Sequence, residues 1–208
     1  MQKRRVLFVN ISYCYDGNVG GHFRYVKENN TAGELFNFEP IRVNEKNMCW
    51  GFFEPGFTKG GYDKGGKQRR VFIERIDKAC DSSLYIDNVT VIWCAQIDTI
   101  NHSSVIGWYN NARVYRDVIT LPYEKFPSRS LPEFGSVHNV ESLAESCVLL
   151  PVEEIMSCRW LSPRQKTDGY GFGQSNMWYA EEPDAKDFVD GVLRKIDAYT
   201  GKNRVVEK

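Results

Sequence analysis

The chain has 208 residues, with 27 Lys+Arg against 27 Asp+Glu and 42% hydrophobic residues. That is enough for one domain with a real core, and the zero net charge excludes a protein-wide cationic field of the kind that coats nucleic acid regardless of sequence, while leaving room for a local basic patch. No apolar run approaches the roughly 20 residues of a membrane span, so no membrane partner is expected.

The six cysteines, Cys14, Cys49, Cys80, Cys94, Cys147 and Cys158, form no C-x-x-C pair and none lies at zinc spacing from a histidine. With no secretory apolar region at the N-terminus they read as reduced thiols of a cytoplasmic protein. No metal or cofactor is assigned.

In chain order, residues 6–12 (VLFVNIS) form a near-continuous apolar run that fits a central strand. Turn chemistry follows, and then Gly20-Gly21-His22, where two glycines let the backbone turn tightly or approach a ligand. Residues 22–29 read as a short helix. Residues 34–43 (ELFNFEPIRV) alternate as a strand does, and 49–53 is another short one. Residues 55–70 interleave glycine pairs with Lys59, Lys64, Lys67, Arg69 and Arg70. The segment is either a plain surface loop or a clamp on phosphate, with glycines allowing close approach and cations neutralising charge. No G-x-x-x-x-G-K-[ST] motif supports a nucleotide P-loop. Residues 71–76 are expected to be a strand.

Residues 89–116 (VTVIWCAQIDTINHSSVIGWYNNARVYR) read as one long hairpin around a polar turn. The stretch 120–141 is rich in Pro, Ser, Glu and Phe and predicts a long surface excursion; 146–150 is a short strand closed by Pro151. Glycines then flank Gln174, Ser175, Asn176, Trp178 and Tyr179 in a loop. Pro183 between Glu182 and Asp184 opens the clearest helix. Its stripe of Ala185, Phe188, Val189, Val192, Leu193 and Ile196 packs on a sheet, and Gly201 follows as the expected cap. Nothing divides residues 1–208 into two domains. Many short strands and a closing amphipathic helix predict α+β, with a strongly curved mixed sheet or a small barrel whose mouth is a pocket.

Trp108-Tyr109 and Trp178-Tyr179 are adjacent ring pairs. In a strand, neighbours face opposite sides, so one ring of each pair should point away from the core and offer a stacking surface for a base; core packing is the plainer use of such rings. The amides Asn10, Asn37, Asn111, Gln174 and Asn176, with Ser175, either tie loops to strand ends or read the edge of an extruded base. Asp16, His22, Glu28, Glu34 and Arg116 are the titratable candidates. They form no nucleophile elbow, H-E-x-x-H or Ser-His-Asp set.

The runs VLFVNIS, GGHFRYVKEN, ELFNF, VIGWYNNARVYR and GFGQSNMWYA resemble the N-terminal domain of HNH-type, modification-dependent (type IV) restriction endonucleases. The Gly-aromatic second strand of the hairpin is more distantly similar to the PUA-like barrels of EVE, YTH and SRA readers. The resemblance implies a PUA-like fold and recognition of modified DNA, cytosine-modified and of phage origin, in restriction or antiviral defence. By base flipping, a base would enter a pocket of Trp108, Tyr109, Trp178, Asn10, Asn111, Gln174, Ser175 and Asn176, while Arg116, Lys64, Lys67, Arg69 and Arg70 hold phosphate. The chain departs from the family in ending soon after the helix with no nuclease domain, so the effector would be a separate nuclease chain. The alternative is a DNA glycosylase excising the modified base, with Glu28, Asp16 or His22 at the reacting sugar. A further alternative is a non-catalytic scaffold or small-molecule sensor.

Overall fold

The structure, a computed structural model, describes residues 4–11, 34–58, 65–97, 102–121, 136–164 and 169–205. Its strands are β1 (Arg5–Ile11), β2 (Ile41–Val43), β3 (Lys46–Gly51), β4 (Tyr85–Ile97), β5 (His102–Leu121), β6 (Ser136–Leu143), β7 (Cys147–Leu149) and β8 (Met177–Trp178). Helix α1 is Val152–Met156 and α2 is Lys186–Asp197. The sheet runs β2-β3-β6-β5-β4-β1-β8, with β7 pairing β5 off this path. Only β1 and β4 pair in parallel; every other described pairing is antiparallel. The fold is therefore α+β with a mixed sheet. That sheet is open, since no described pairing joins β2 to β8, so the expected barrel closure is not found among the described residues. No described helix is long and apolar enough to cross a membrane.

The long hairpin is the spine. Register shifts near Val89 and Cys94 mark bulges that increase its twist, and Asn111 takes φ +52° at one of them. Residues in register share a face. One face thus lines up Trp178, Phe8, Ile92, Trp108 and Val148. Helix α2 covers part of it through Phe188, which contacts Phe8 and Trp178, and through buried Val192 and Ile196. The other face buries Trp93 and Tyr109 against Phe38 and Phe53. Gly107 is required there: a Cβ would lie 2.3 Å from the Val148 carbonyl and 2.8 Å from the Phe38 ring.

Three segments differ from expectation. Residues 34–43 are not one strand but a 3-10 turn, Glu34–Phe36, followed by β2. The cause is Asn37, whose side chain donates to the Phe52 carbonyl and accepts from the Phe52 N–H, imitating a strand neighbour while holding its own backbone out of the ladder. Residues 71–76 form a 3-10 turn, Ile73–Arg75, instead of a strand; the Phe72 N–H donates to the Tyr179 hydroxyl, so no strand partner takes it. The stretch 120–141, expected as an excursion, carries most of β6 at its end, wedged between β3 and β5. The helix expected at 22–29 lies outside the described residues.

The C-terminal helix follows its sequence signals. Pro183 opens a 3-10 turn that leads into α2, and Arg194 and Lys195 fall in the last turn, where cations complement the helix dipole. The cap is Ala198, three residues before the expected Gly201.

Candidate functional site

The ring half of the predicted site belongs to the core. Trp108 is 1% exposed, stacked on Trp160 at 5.5 Å and met edge-on by Tyr199 at 5.4 Å. Tyr109, fully buried, points to the opposite face against Trp93 and Phe38. Trp178 packs on Phe8 at 4.7 Å and stacks with Tyr170, and its indole N–H donates to Glu182. Tyr179 is buried as well, and burial pushes its hydroxyl up to about 12. The expectation that one ring of each pair turns outward fails for a physical reason: with both sheet faces covered, both alternating positions are interior.

Arg116 is a structural residue, not a free cation for phosphate. Its guanidinium pairs with Glu74 at 2.6 Å and donates to the carbonyls of Cys80, Asp81 and Ser83. It thereby ties two 3-10 turns to β5, with four of its five N–H donors occupied. Arg70 is held bidentately by Asp117 at 2.6 and 2.7 Å, and the hydrogen bond to that carboxylate holds Asp117 below the usual carboxylate range. Asn111 is exposed on its bulge, apart from the other amides in sequence and register. Lys64 and the candidates Asp16, His22 and Glu28 lie outside the described residues.

Asn10, Gln174, Ser175 and Asn176 of the amide half do come together. Asn10, on β1, and Asn176, just before β8, are 166 positions apart in the numbering, yet the Asn10 N–H donates to the Asn176 carbonyl at 2.8 Å. The Asn176 amide donates to the Glu54 carbonyl at 3.2 Å. Glu54 in turn anchors a hairpin: its carboxylate accepts from the Gly56 N–H and the Gln68 amide, and the Arg69 N–H donates to the Gly56 carbonyl. Lys67 and Arg69 stand exposed on that hairpin with no side-chain ion pair among the described residues. On the other side, Arg164 donates to the Ser175 carbonyl at 3.0 Å. Gln174 and Ser175 are exposed between these groups. Gly171 makes the loop possible at φ +125°, where a Cβ would meet the Pro163 carbonyl at 2.4 Å.

This rim lies at the carboxyl end of the parallel β1–β4 pair, the end at which open sheets carrying parallel strands place their ligands. It also collects unmet polar atoms. Among the described residues the Asn10 side-chain oxygen is buried with no partner, as is the Ser103 hydroxyl; the Ser162 hydroxyl sits beside the Cys94 thiol, a weak acceptor, and is otherwise unpaired there. Asn10 is in register with Cys94, and Ser103 with Gln96 two residues further along β4. Each such atom costs about 1–3 kcal/mol unless something satisfies it. Burial pushes the Cys94 thiol up to about 12, so it is a neutral wall and not a nucleophile. Burial also raises the Glu54 carboxyl, opposed by its bonds from Gln68 and Gly56.

Sequence reading missed Glu54, Gln68 and Arg164. The one local signal was Glu54-Pro55-Gly56, a turn whose acid can bond its own backbone. Among the described residues no group of three or more His, Cys, Asp or Glu could hold a metal ion. No family model, curated protein or solved structure matches the chain.

Proposed function

We propose that the chain recognises DNA carrying a modified base, in a restriction or antiviral role, with the polar rim at the end of β1 as its contact surface. The observation that carries the proposal is the meeting of Asn10 and Asn176 beside a buried carboxamide oxygen that no described residue bonds. In this reading Asn10, Asn176, Gln174 and Ser175 address base edges. Lys67, Arg69 and Arg164 hold the backbone, whose phosphates supply most of the affinity and little of the specificity. The sequence resemblance to modification-dependent endonuclease domains and PUA-like readers agrees with the role, and a separate chain would supply cleavage.

The test is binding to matched duplexes with and without 5-hydroxymethylcytosine at fixed salt, using wild type and Asn10→Ala. Modified duplex is expected to bind at least about fivefold tighter, the lower end of what one good base contact supplies, and Asn10→Ala should erase the preference. Because that substitution removes an unmet acceptor, the variant should be at least as stable as wild type. Equal affinity for both duplexes would end the proposal.

A second reading, base excision, has one observation in its favour: Glu54 is a carboxyl group at the rim that burial keeps protonated to higher pH, the state a general acid needs. Alkali-labile sites formed in modified duplex by wild type but not by Glu54→Gln would favour it over simple binding.

A further inference from the structure

At the amino end of β4, remote from the rim, a different set of side chains converges. Tyr85 and Tyr115 are in register across β4 and β5, their rings 6.0 Å apart, and Tyr85 is 41% exposed, unusual for so large a ring. The Arg113 guanidinium carbon lies over the Tyr85 ring, 4.0 Å from its centre. Asp87 holds it there through two contacts, at 2.8 and 3.3 Å, and that hydrogen bond is the main cause of the raised pKa of Arg113. The stack is thus oriented before any ligand arrives.

Beside it stands Glu141, in register with Arg113 on β6 and part-buried. Its N–H donors all stand back. The Trp50 indole N–H is 3.3 Å away, the Arg113 guanidinium 3.7 Å and His138 Nε2 3.9 Å. A carboxylate offers about four acceptor sites, and charge-assisted bonds close to about 2.7–2.9 Å. With the Trp50 indole and the Tyr115 hydroxyl as its hydrogen-bond donors, Glu141 keeps part of its acceptor capacity open among the described residues. Burial first, and then the Glu141 carboxylate, push the Tyr115 hydroxyl up, so it is a neutral donor to Glu141.

A preoriented ring-and-guanidinium stack next to an underused carboxylate has a specific complement. Aromatic rings and arginine planes stack on nucleobases, and a carboxylate accepts from an exocyclic amino group such as cytosine N4. Double-stranded DNA hides its base faces, so the partner must be unpaired.

We propose that Tyr85, Arg113, Tyr115 and Glu141 form a second nucleic-acid contact, a stacking surface for an unpaired base whose edge carries an amino group. The inference rests on nucleic acid being the ligand class but shares no residue with the rim. A strand opened at a target base would supply such unpaired neighbours.

The experiment is fluorescence anisotropy with short oligo(dC), oligo(dA) and oligo(dT) on wild type, Tyr85→Ala and Glu141→Gln, with Asn10→Ala in parallel. Oligo(dC) and oligo(dA) are expected to bind about 5- to 150-fold tighter than oligo(dT). Tyr85→Ala should lose a similar factor on all three. Glu141→Gln should bring oligo(dC) close to oligo(dT), and Asn10→Ala should leave all three unchanged. Tyr85 is exposed and Gln is isosteric with Glu, so both variants should melt as wild type does. Equal binding of oligo(dC) and oligo(dT), or wild-type affinity in Tyr85→Ala, overturns the inference. Loss of modified-duplex preference with these oligonucleotide results intact would sink the rim reading alone.

Discussion

At the scale of single residues, Trp108 and Asn10 were both candidates for touching a base, and their surroundings part them. Trp108 has ring neighbours on its face and edge, so its removal leaves a cavity. Trp108→Ala is expected to cost about 3–5 kcal/mol. For a chain of this size that lowers Tm by roughly 6–20 °C, at about 2–4 °C per kcal/mol. A variant that melted like wild type yet lost DNA binding would return the ring to the ligand. The Asn10 side-chain oxygen has no partner among the described residues, so its loss breaks no hydrogen bond to them. Glu54 adds a pH signature. Burial raises its folded-state pKa above the ordinary value of 4.5, so ionising it disfavours the fold. Stability from this group is full below about pH 4.5 and falls as pH rises through the raised folded value. Glu54→Gln should thus be at least as stable as wild type at pH 7, with its advantage gone near pH 4, read by thermal melts across that range. An advantage that grew toward low pH would contradict the assignment.

At the scale of elements, what was legible was whatever periodicity and local chemistry decide. The β4–β5 hairpin showed in its β-branched and aromatic run, and α2 in Pro183 and its apolar stripe. β1 showed in a near-continuous apolar run broken by Asn10, as a strand covered on both faces should. The Asn37 side chain that interrupts 34–43 could not be read, because its partner is the Phe52 backbone 15 residues on. β6 was hidden by polar residues, His138, Asn139, Glu141 and Ser142, all of which find partners only in the folded sheet. The rim was half legible: its amides were picked out by type, whereas Glu54 and Gln68 join through contacts that only topology creates. Gly107 tests the sheet account at this scale. A methyl group there must displace the β7 backbone or Phe38, so Gly107→Ala should cost about 1–3 kcal/mol or more and raise hydrogen exchange at Leu149 and Leu150, whose amides lie in the β7 segment alongside β5. Unchanged stability would mean that β7 does not approach β5 as described.

At the scale of the whole molecule, zero net charge and DNA binding are compatible only if charge is local. Many arginines are neutralised by acids of their own: Arg5 by Asp77, Arg70 by Asp117, Arg75 by Glu181, Arg113 by Asp87 and Arg116 by Glu74. Such pairs brace the surface and attract no polyanion. Lys67, Arg69 and Arg164 have no ion pair among the described residues, and all three border the amides. The rim thus holds three cations with no acid of their own among the described residues, at the end of the parallel strand pair opposite Tyr85 and Arg113.

The measurement that bears most directly on this account is the salt dependence of modified-duplex binding in wild type and in the double variant Lys67→Ala/Arg69→Ala. Three phosphate contacts predict a slope of log Kobs against log[salt] near −2.7, at about −0.9 per contact, and the double variant should fall to about −0.9. A slope near zero in wild type, or one that the double variant leaves unchanged, would contradict the rim as the DNA-binding surface.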